Sequence, residues 1–257
     1  MIIGAGAFGA ALGKILTDNG YGVTYFDRKN ELSLEEAAAE AEAIVLAIPS
    51  VAMAELASSL PDRLRELPVI LAAKGLLDLG IFVNFARFSV LSGPAFAEDI
   101  MAELPVTFTV TDELAVKLFA NERVAVELTD DALGVVLCGS LKNIYAIGAG
   151  VEVEAQVEAP QYLEAALAEM KSYLANHGAN PETADLACGI GDLAMSVTDE
   201  KSRNLRFGKA LRAGVGTEEA LRELGTVEGL TTLRQVDREG YPIITRIYEL
   251  TRVHEAE

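Results

Sequence analysis

The chain opens on Met1-Ile2-Ile3-Gly4-Ala5-Gly6-Ala7-Phe8-Gly9, a G-x-G-x-x-G between a short apolar start and an amphipathic stretch. Few patterns of this length restrict a fold as much. Gly4 permits a tight turn off a strand, Gly6 lets the backbone approach a diphosphate, and Gly9 lets the following helix pack on the strand. The diphosphate then meets the free N–H groups and the positive end of that helix. Alone the pattern is weak. Here a second apolar run follows and ends in Asp27, 18 residues past Gly9, which completes the strand–helix–strand context of a dinucleotide-binding unit.

The rest of the first half keeps the same rhythm. Runs 1–4, 21–27, 43–48, 69–73, 89–92 and 106–110 read as strands. Between them 7–19, 35–42, 51–59, 94–103 and 112–120 read as helices. Strand–helix alternation predicts an α/β fold, an N-terminal Rossmann-type doubly wound parallel sheet. After about residue 130 the β pattern stops. Leu133, Val136, Leu137, Leu141 and Ile144 recur at helical spacing. Segments 159–176, 181–195, 201–213, 217–224, 230–238 and 243–252 also read as helices. Two domains are expected: a dinucleotide-binding Rossmann domain over 1–130 and an all-α substrate and catalytic domain over 131–257.

Composition narrows the function classes. Apolar residues make up 51 % and charged residues 23 %, enough for a sizeable core and unlike a disordered chain. The net charge is −18 and there is no dense run of Lys and Arg, which argues against a nucleic-acid partner. So negative a field repels anions at long range, so an anionic substrate needs positive charge at its site. No window reaches the roughly 18 apolar residues of a membrane span. No basic segment precedes an apolar one as in a secretory signal, so a cytoplasmic location is expected. Cys138 and Cys188 lie far apart and read as small core residues in a reducing compartment. With only His177 and His254 besides, no metal site is expected.

Further short motifs follow in order. They are Ala47-Ile48-Pro49-Ser50, Ala73-Lys74-Gly75, Ser92-Gly93-Pro94-Ala95-Phe96-Ala97, Leu141-Lys142-Asn143, Gly191-Asp192-Leu193, Ser202-Arg203-Asn204 and Val227-Glu228-Gly229. Each is common by itself. Taken singly, Lys142 reads as a surface lysine at a helix end, Asp192 as a helix cap, and Ser202-Arg203-Asn204 as a solvated helix start. As an ordered set spanning nearly the whole chain, they resemble the NAD(P)-dependent glycerol-3-phosphate dehydrogenases of the bacterial type. Where that family carries a serine and a tryptophan, this chain has Ala95 and Phe8.

The residue types suit such chemistry. Ligands of an open parallel sheet bind beyond the carboxyl ends of its strands, where Lys74 and the turn 92–97 fall. Hydride transfer to a ketone builds negative charge on oxygen, which a nearby ammonium stabilises and protonates. Lys142, between Leu141 and Ile144 on an apolar helix, offers one. A phosphate suits a guanidinium fork at a helix start, as Ser202-Arg203-Asn204 provides. Asp27 suits the ribose hydroxyls of NAD, whereas Arg28 beside it suits the 2′-phosphate of NADP. The balance leans to NAD.

The resemblance implies roles. Lys142 protonates the ketone of dihydroxyacetone phosphate, or acts as base in the reverse direction, in a reaction that feeds glycerophospholipid synthesis. Lys74 contacts substrate and cofactor. Asp192 holds the lysine or a substrate hydroxyl. Gly93, Ala95, Asn143, Ser202, Arg203 and Asn204 line the substrate site. Gly4, Gly6, Ala7, Phe8, Gly9, Asp27, Arg28, Ala97, Arg203 and Glu228 contact the dinucleotide, Glu228 on its nicotinamide side. A homodimer is implied. Two alternatives stay open: a related dehydrogenase acting on another phosphorylated or carboxylated ketone, and a catalytically impaired nucleotide-binding homologue.

Overall fold

The computed structural model describes residues 1–27, 33–72, 75–153 and 158–253, without the side chains of 252 and 253. Arg28, Lys74 and His254 lie outside the described residues.

The strands are β1 (Ile2–Ile3), β2 (Tyr25–Phe26), β3 (Ile44–Leu46), β4 (Val69–Leu71), β5 (Phe88–Ser92), β6 (Val106–Val110) and β7 (Val124–Leu128). They form one sheet in the order β2-β1-β3-β4-β5-β6-β7. Strand order reverses between β1 and β3, the switch point at which doubly wound sheets bind their ligands. The strands from β1 to β5 are parallel. The expectation of a parallel sheet needs one adjustment, because β6 runs antiparallel to β5 and β7 parallels β6. The helix between β5 and β6 has only five residues, and Glu103 behind it turns the chain at a φ of 61°. So short a link returns the strand alongside instead of carrying it across a face.

Helices α1 (Ala7–Asp18), α2 (Leu34–Ala37), α3 (Met53–Ser59), α4 (Asp62–Arg65), α5 (Ala97–Met101) and α6 (Glu113–Phe119) accompany the sheet. Ser33 and Glu36 form a reciprocal capping box that starts α2. From Ala132 on the described segments are helical: α7 (Ala132–Glu152), α8 (Ala159–Asn176), α9 (Asp192–Thr198), α10 (Arg203–Arg212), α11 (Thr217–Leu224), α12 (Glu228–Leu233) and α13 (Pro242–Val253). By length and composition α7 could cross a membrane, yet 89 % of its apolar window is buried inside the protein. It packs on β5, α8, α9, α10, α12 and α13. The larger of two hydrophobic core clusters runs from Leu46 and Leu71 in the sheet through Leu141 and Ile144 to Ile247, and the other packs α1 and β6 around Ile2, Leu12 and Phe108.

Segment 181–195, expected as one helix, is three pieces. A 3-10 turn (Pro181–Asp185) leads through a π-helical turn (Ala187–Gly191) into α9. Glycine supplies part of the reason. A Cβ on Gly189 would stand 2.2 Å from the Ala184 carbonyl oxygen, a contact only glycine escapes. Competition for backbone donors supplies the rest, because Glu127 takes the Ala187 N–H at 2.7 Å and Thr109 the Cys188 N–H at 3.0 Å. Asp131 caps α7 through the Gly134 N–H at 2.9 Å, and also accepts from the Asn180 N–H at 3.0 Å and the Thr183 hydroxyl at 2.6 Å.

Candidate active site

The glycine loop sits at the switch point in the expected form. Gly4 has a φ of 105°, and a Cβ there would stand 2.4 Å from the Ala47 carbonyl oxygen. A Cβ on Gly9 would stand 1.9 Å from the Gly4 carbonyl oxygen, so α1 lies on the turn with no room for a side chain. Gly6 differs, since a Cβ there meets nothing within 4 Å. Its backbone faces open space, as close approach by a ligand requires. No side chain caps α1 and its first turn carries no acidic residue, which leaves its N-terminus suited to an anion. Ala7 is exposed and Phe8 half-buried.

Beside the loop lies a cavity of about 630 Å³, lined by Gly4, Asp27, Ile48, Pro49, Glu55 and Ser59 among others. That volume falls in the range of about 300–1,000 Å³ usual for cofactor sites. Asp27 at its edge can meet a ribose. A glycine turn, an uncapped helix and an acidic lip fit a dinucleotide on this chain's own geometry. Gly75, beyond β4, approaches Ser50 at the end of β3: a Cβ on Gly75 would stand 2.5 Å from Ser50 Oγ.

Lys142 is where the bland reading fails. Its side chain is 3 % exposed, and Nζ donates to Asp192 Oδ1 at 2.6 Å and to Ser196 Oγ at 3.1 Å. Asp192 is 1 % exposed, and its Oδ2 is buried with no hydrogen-bond partner among the described residues. A buried pair costs solvation that a surface pair keeps, so its presence calls for a reason other than stability. Ser196 was missed by sequence reasoning. It lies one turn after Asp192, on the same face of α9, a spacing that could have flagged it.

Asn143, next to Lys142, joins a second network. Asn204 Nδ2 donates to Asn143 Oδ1 at 2.9 Å, the Gly229 N–H donates to Asn204 Oδ1 at 2.9 Å, and Asn143 Nδ2 lies 3.5 Å from Glu228 Oε2. This brings three of the motifs together across α7, α10 and α12. Small residues make it possible. A Cβ on Gly208 would stand 2.0 Å from the Ile147 carbonyl oxygen, so α7 and α10 cross backbone against backbone. Ser202 does cap α10, accepting from the Leu205 N–H at 3.3 Å, while Arg203 is exposed at the same helix start. Gly93 and Ala95 are buried and Ala97 begins α5. The motif's Ser92 stands against α7, where a Cβ on Gly139 would be 2.8 Å from its Oγ.

Cys138 and Cys188 are both free and buried, one turn before Lys142 and Asp192 respectively. The Cys188 thiol beside it, together with burial, pushes the Cys138 thiol up from its ordinary value.

A Rossmann-type switch point with a glycine loop, facing a helical half that buries a lysine–aspartate pair, defines a nicotinamide-dinucleotide-dependent oxidoreductase. The comparisons with known proteins make this particular. Residues 29–115 match the family described as the NAD-dependent glycerol-3-phosphate dehydrogenase N-terminus, and residues 131–255 match the corresponding C-terminus. Glycerol-3-phosphate dehydrogenase [NAD(P)+] of Shouchella clausii is 31 % identical, over 90 % of this chain and 83 % of that protein. The enzyme of the same name from Pseudomonas syringae pv. tomato is 32 % identical, over 91 % and 82 %. Among solved structures, glycerol-3-phosphate dehydrogenase from Coxiella burnetii superposes with a TM-score of 0.85 at 25 % identity, covering 100 % of this chain and 94 % of that one. This chain belongs to the NAD(P)-dependent glycerol-3-phosphate dehydrogenase family, and NAD or NADP is its cofactor. A ketopantoate reductase from Ralstonia eutropha reaches a TM-score of 0.56 at 15 % identity, a likeness of fold alone.

Proposed function

We propose that this chain reduces dihydroxyacetone phosphate to sn-glycerol 3-phosphate, reversibly, with Lys142 as proton donor. The observation that carries this reading is the buried Lys142–Asp192 pair, which leaves Asp192 Oδ2 without a partner among the described residues. The bound nicotinamide supplies the hydride. Everything else falls to the chain. Lys142 Nζ stabilises the charge that grows on the ketone oxygen and gives it a proton, which completes the secondary alcohol. Asp192 Oδ1 fixes the ammonium, and Oδ2 has acceptor capacity for a substrate hydroxyl. The Ser196 hydroxyl, near both, offers a path for replacing the proton. Arg203 at the exposed start of α10 takes the phosphate, with Asn143 and Asn204 setting the distance from there to Lys142. Gly93 and Ala95 shape the floor.

On this reading Lys74 bridges substrate and cofactor, Gly6 and α1 hold the diphosphate, Asp27 and Arg28 divide NAD from NADP with NAD favoured, and Glu228 faces the nicotinamide side. Residues 1–130 bind the dinucleotide and 131–257 the substrate. A cytoplasmic homodimer feeding glycerophospholipid synthesis is part of the same proposal.

The test is oxidation of NADH with dihydroxyacetone phosphate against dihydroxyacetone. Binding energy from the phosphate positions the distant ketone, so its loss lowers turnover as well as affinity. Equal rates on the two ketones would contradict the proposal, as would a 2-keto acid that outpaces both.

A further inference from the structure

Asp192 stands at the start of α9, directly behind the π-helical turn Ala187–Gly191. Such i→i+5 turns are rare and concentrate at functional sites. This one is gripped from outside. Glu127 Oε2 accepts from the Ala187 N–H at 2.7 Å. Thr109 Oγ1 accepts from the Cys188 N–H at 3.0 Å and donates to Glu127 Oε2 at 3.2 Å. Thr109 on β6 and Glu127 on β7 are register partners across the sheet, so the two side chains act as one rigid bracket. Thr109 is fully buried. At the other end of the turn, a Cβ on Gly191 would lie 3.2 Å from Pro94 Cγ.

We infer that Glu127 and Thr109 are positioning residues for proton transfer by Lys142, acting through the π-helical turn that aims Asp192. This rests on the role given to Asp192 above. The reason is geometric. An α-helix advances about 100° per residue. Rewinding the turn to ordinary α geometry shifts its register and swings Asp192 around the α9 axis, away from Lys142 Nζ. The bracket holds the two N–H groups that open the turn against the sheet, and so fixes where the turn begins and where Asp192 stands behind it. Neither residue touches Lys142 in any hydrogen bond, so the effect passes through the backbone.

The experiment compares Glu127→Ala, Thr109→Val and Thr109→Ser, with Asp192→Asn and the Glu127→Ala/Asp192→Asn double variant, in the full-length protein. Each is assayed for kcat and KM with dihydroxyacetone phosphate and for NADH affinity by fluorescence titration. Glu127→Ala removes the oxygen that accepts from Ala187 and Thr109, and with Thr109→Val it lowers kcat by about tenfold to a hundredfold, the scale of an ångström-sized misplacement. NADH affinity stays within about twofold, and Thr109→Ser recovers most of the rate because it keeps the hydroxyl. In the Asp192→Asn background Glu127→Ala changes kcat by less than about twofold, since the two act on one element. Should Glu127→Ala fail to fold, the contrast between Thr109→Val and Thr109→Ser decides alone. A lowered Tm with unchanged kcat in Glu127→Ala and Thr109→Val makes both residues struts and overturns the inference, as do effects that multiply with Asp192→Asn. If Asp192→Asn itself leaves kcat unchanged, the role of Asp192 falls and this inference with it. If Asp192→Asn lowers kcat while the bracket variants do not, only the inference falls.

Discussion

The glycine loop at the head of the sheet is made of backbone, whereas the buried lysine–aspartate pair in the helical half is made of side chains 50 residues apart. In the loop, six consecutive positions suffice. Gly4 turns, Gly9 lets α1 touch the turn, and Gly6 stays open. In the pair, Lys142 and Asp192 belong to different helices, and each needs the other to be tolerated in the core. The two regions should therefore fail differently. Damage to the loop should cost cofactor binding, and damage to the pair should cost chemistry.

The sharpest contrast lies within the loop itself. Gly9→Ala puts a Cβ against a backbone oxygen, so the β1–α1 turn has to move. NADH affinity should fall by about a hundredfold, with a stability loss of about 1–3 kcal/mol, the usual cost of overpacking. Gly6→Ala meets no protein atom, so Tm should hold while NADH affinity falls by about tenfold, since only the ligand is obstructed. Equal Tm losses in the two variants, or full NADH affinity in Gly6→Ala, would break the comparison.

A smaller effect is expected at the lip of the cavity. Asp27→Ala removes a carboxylate that favours ribose hydroxyls and repels a 2′-phosphate. The ratio of kcat/KM for NADPH to that for NADH should rise by roughly 5–50-fold, the span of about 1–2.3 kcal/mol. No change in the ratio would mean that Asp27 points away from the ribose.

The smallest effect separates the Lys142–Asp192 pair from two other buried carboxylates of the helical half. Glu169 accepts from the Ile243 and Ile244 N–H groups at 2.7 and 3.1 Å, fixing the start of α13. Burial nonetheless holds its carboxyl above the ordinary glutamate range, and does the same to Glu152 beside Arg246. A raised value means that the folded chain binds these protons more tightly than the unfolded chain. The stability they contribute is present below the ordinary value of about 4.3 and is lost as pH rises through the raised value. Glu169→Gln should remove part of that slope. Relative to the variant, the wild-type Tm should fall by on the order of a few degrees between about pH 4.5 and 7. A gap that stays constant over this range would show Glu169 to be charged at no cost.

The same contrast explains what could be read from the chain beforehand. The β1–α1 loop, six of the seven strands and helices α1, α8, α11 and α13 follow from local patterns, because each is set by neighbours in sequence. Strand β7, Val124–Leu128, escaped notice. It is half exposed, so its alternation carries no strong apolar run. The stretch 181–195 read as one helix because its apolar spacing is helical; the breaks come from Gly189 and from carboxylates on other elements. Lys142, Asp192 and Asn204 were named from ordered motifs, but their burial and mutual contacts exist only after α7, α9 and α10 pack. Ser196 is marked only by its spacing from Asp192 on α9. Thr109 and Glu127 carry no motif at all, and their parts are assigned by distances that no local pattern encodes.

On the proposed reading, proton transfer and cofactor binding reside in separable regions of the chain, with Lys142 carrying the first. The direct measurement is turnover of Lys142→Ala with dihydroxyacetone phosphate, paired with a fluorescence titration of the same variant with NADH. Turnover should fall by at least about a hundredfold, the scale for removing a general acid or an oxyanion-stabilising group. NADH should bind within about twofold of wild type, because the Gly4–Gly9 loop is untouched. Lys142→Arg should not rescue the rate, since a guanidinium keeps its proton near neutral pH. Near wild-type turnover in Lys142→Ala would contradict the claim and make Lys142 a structural lysine.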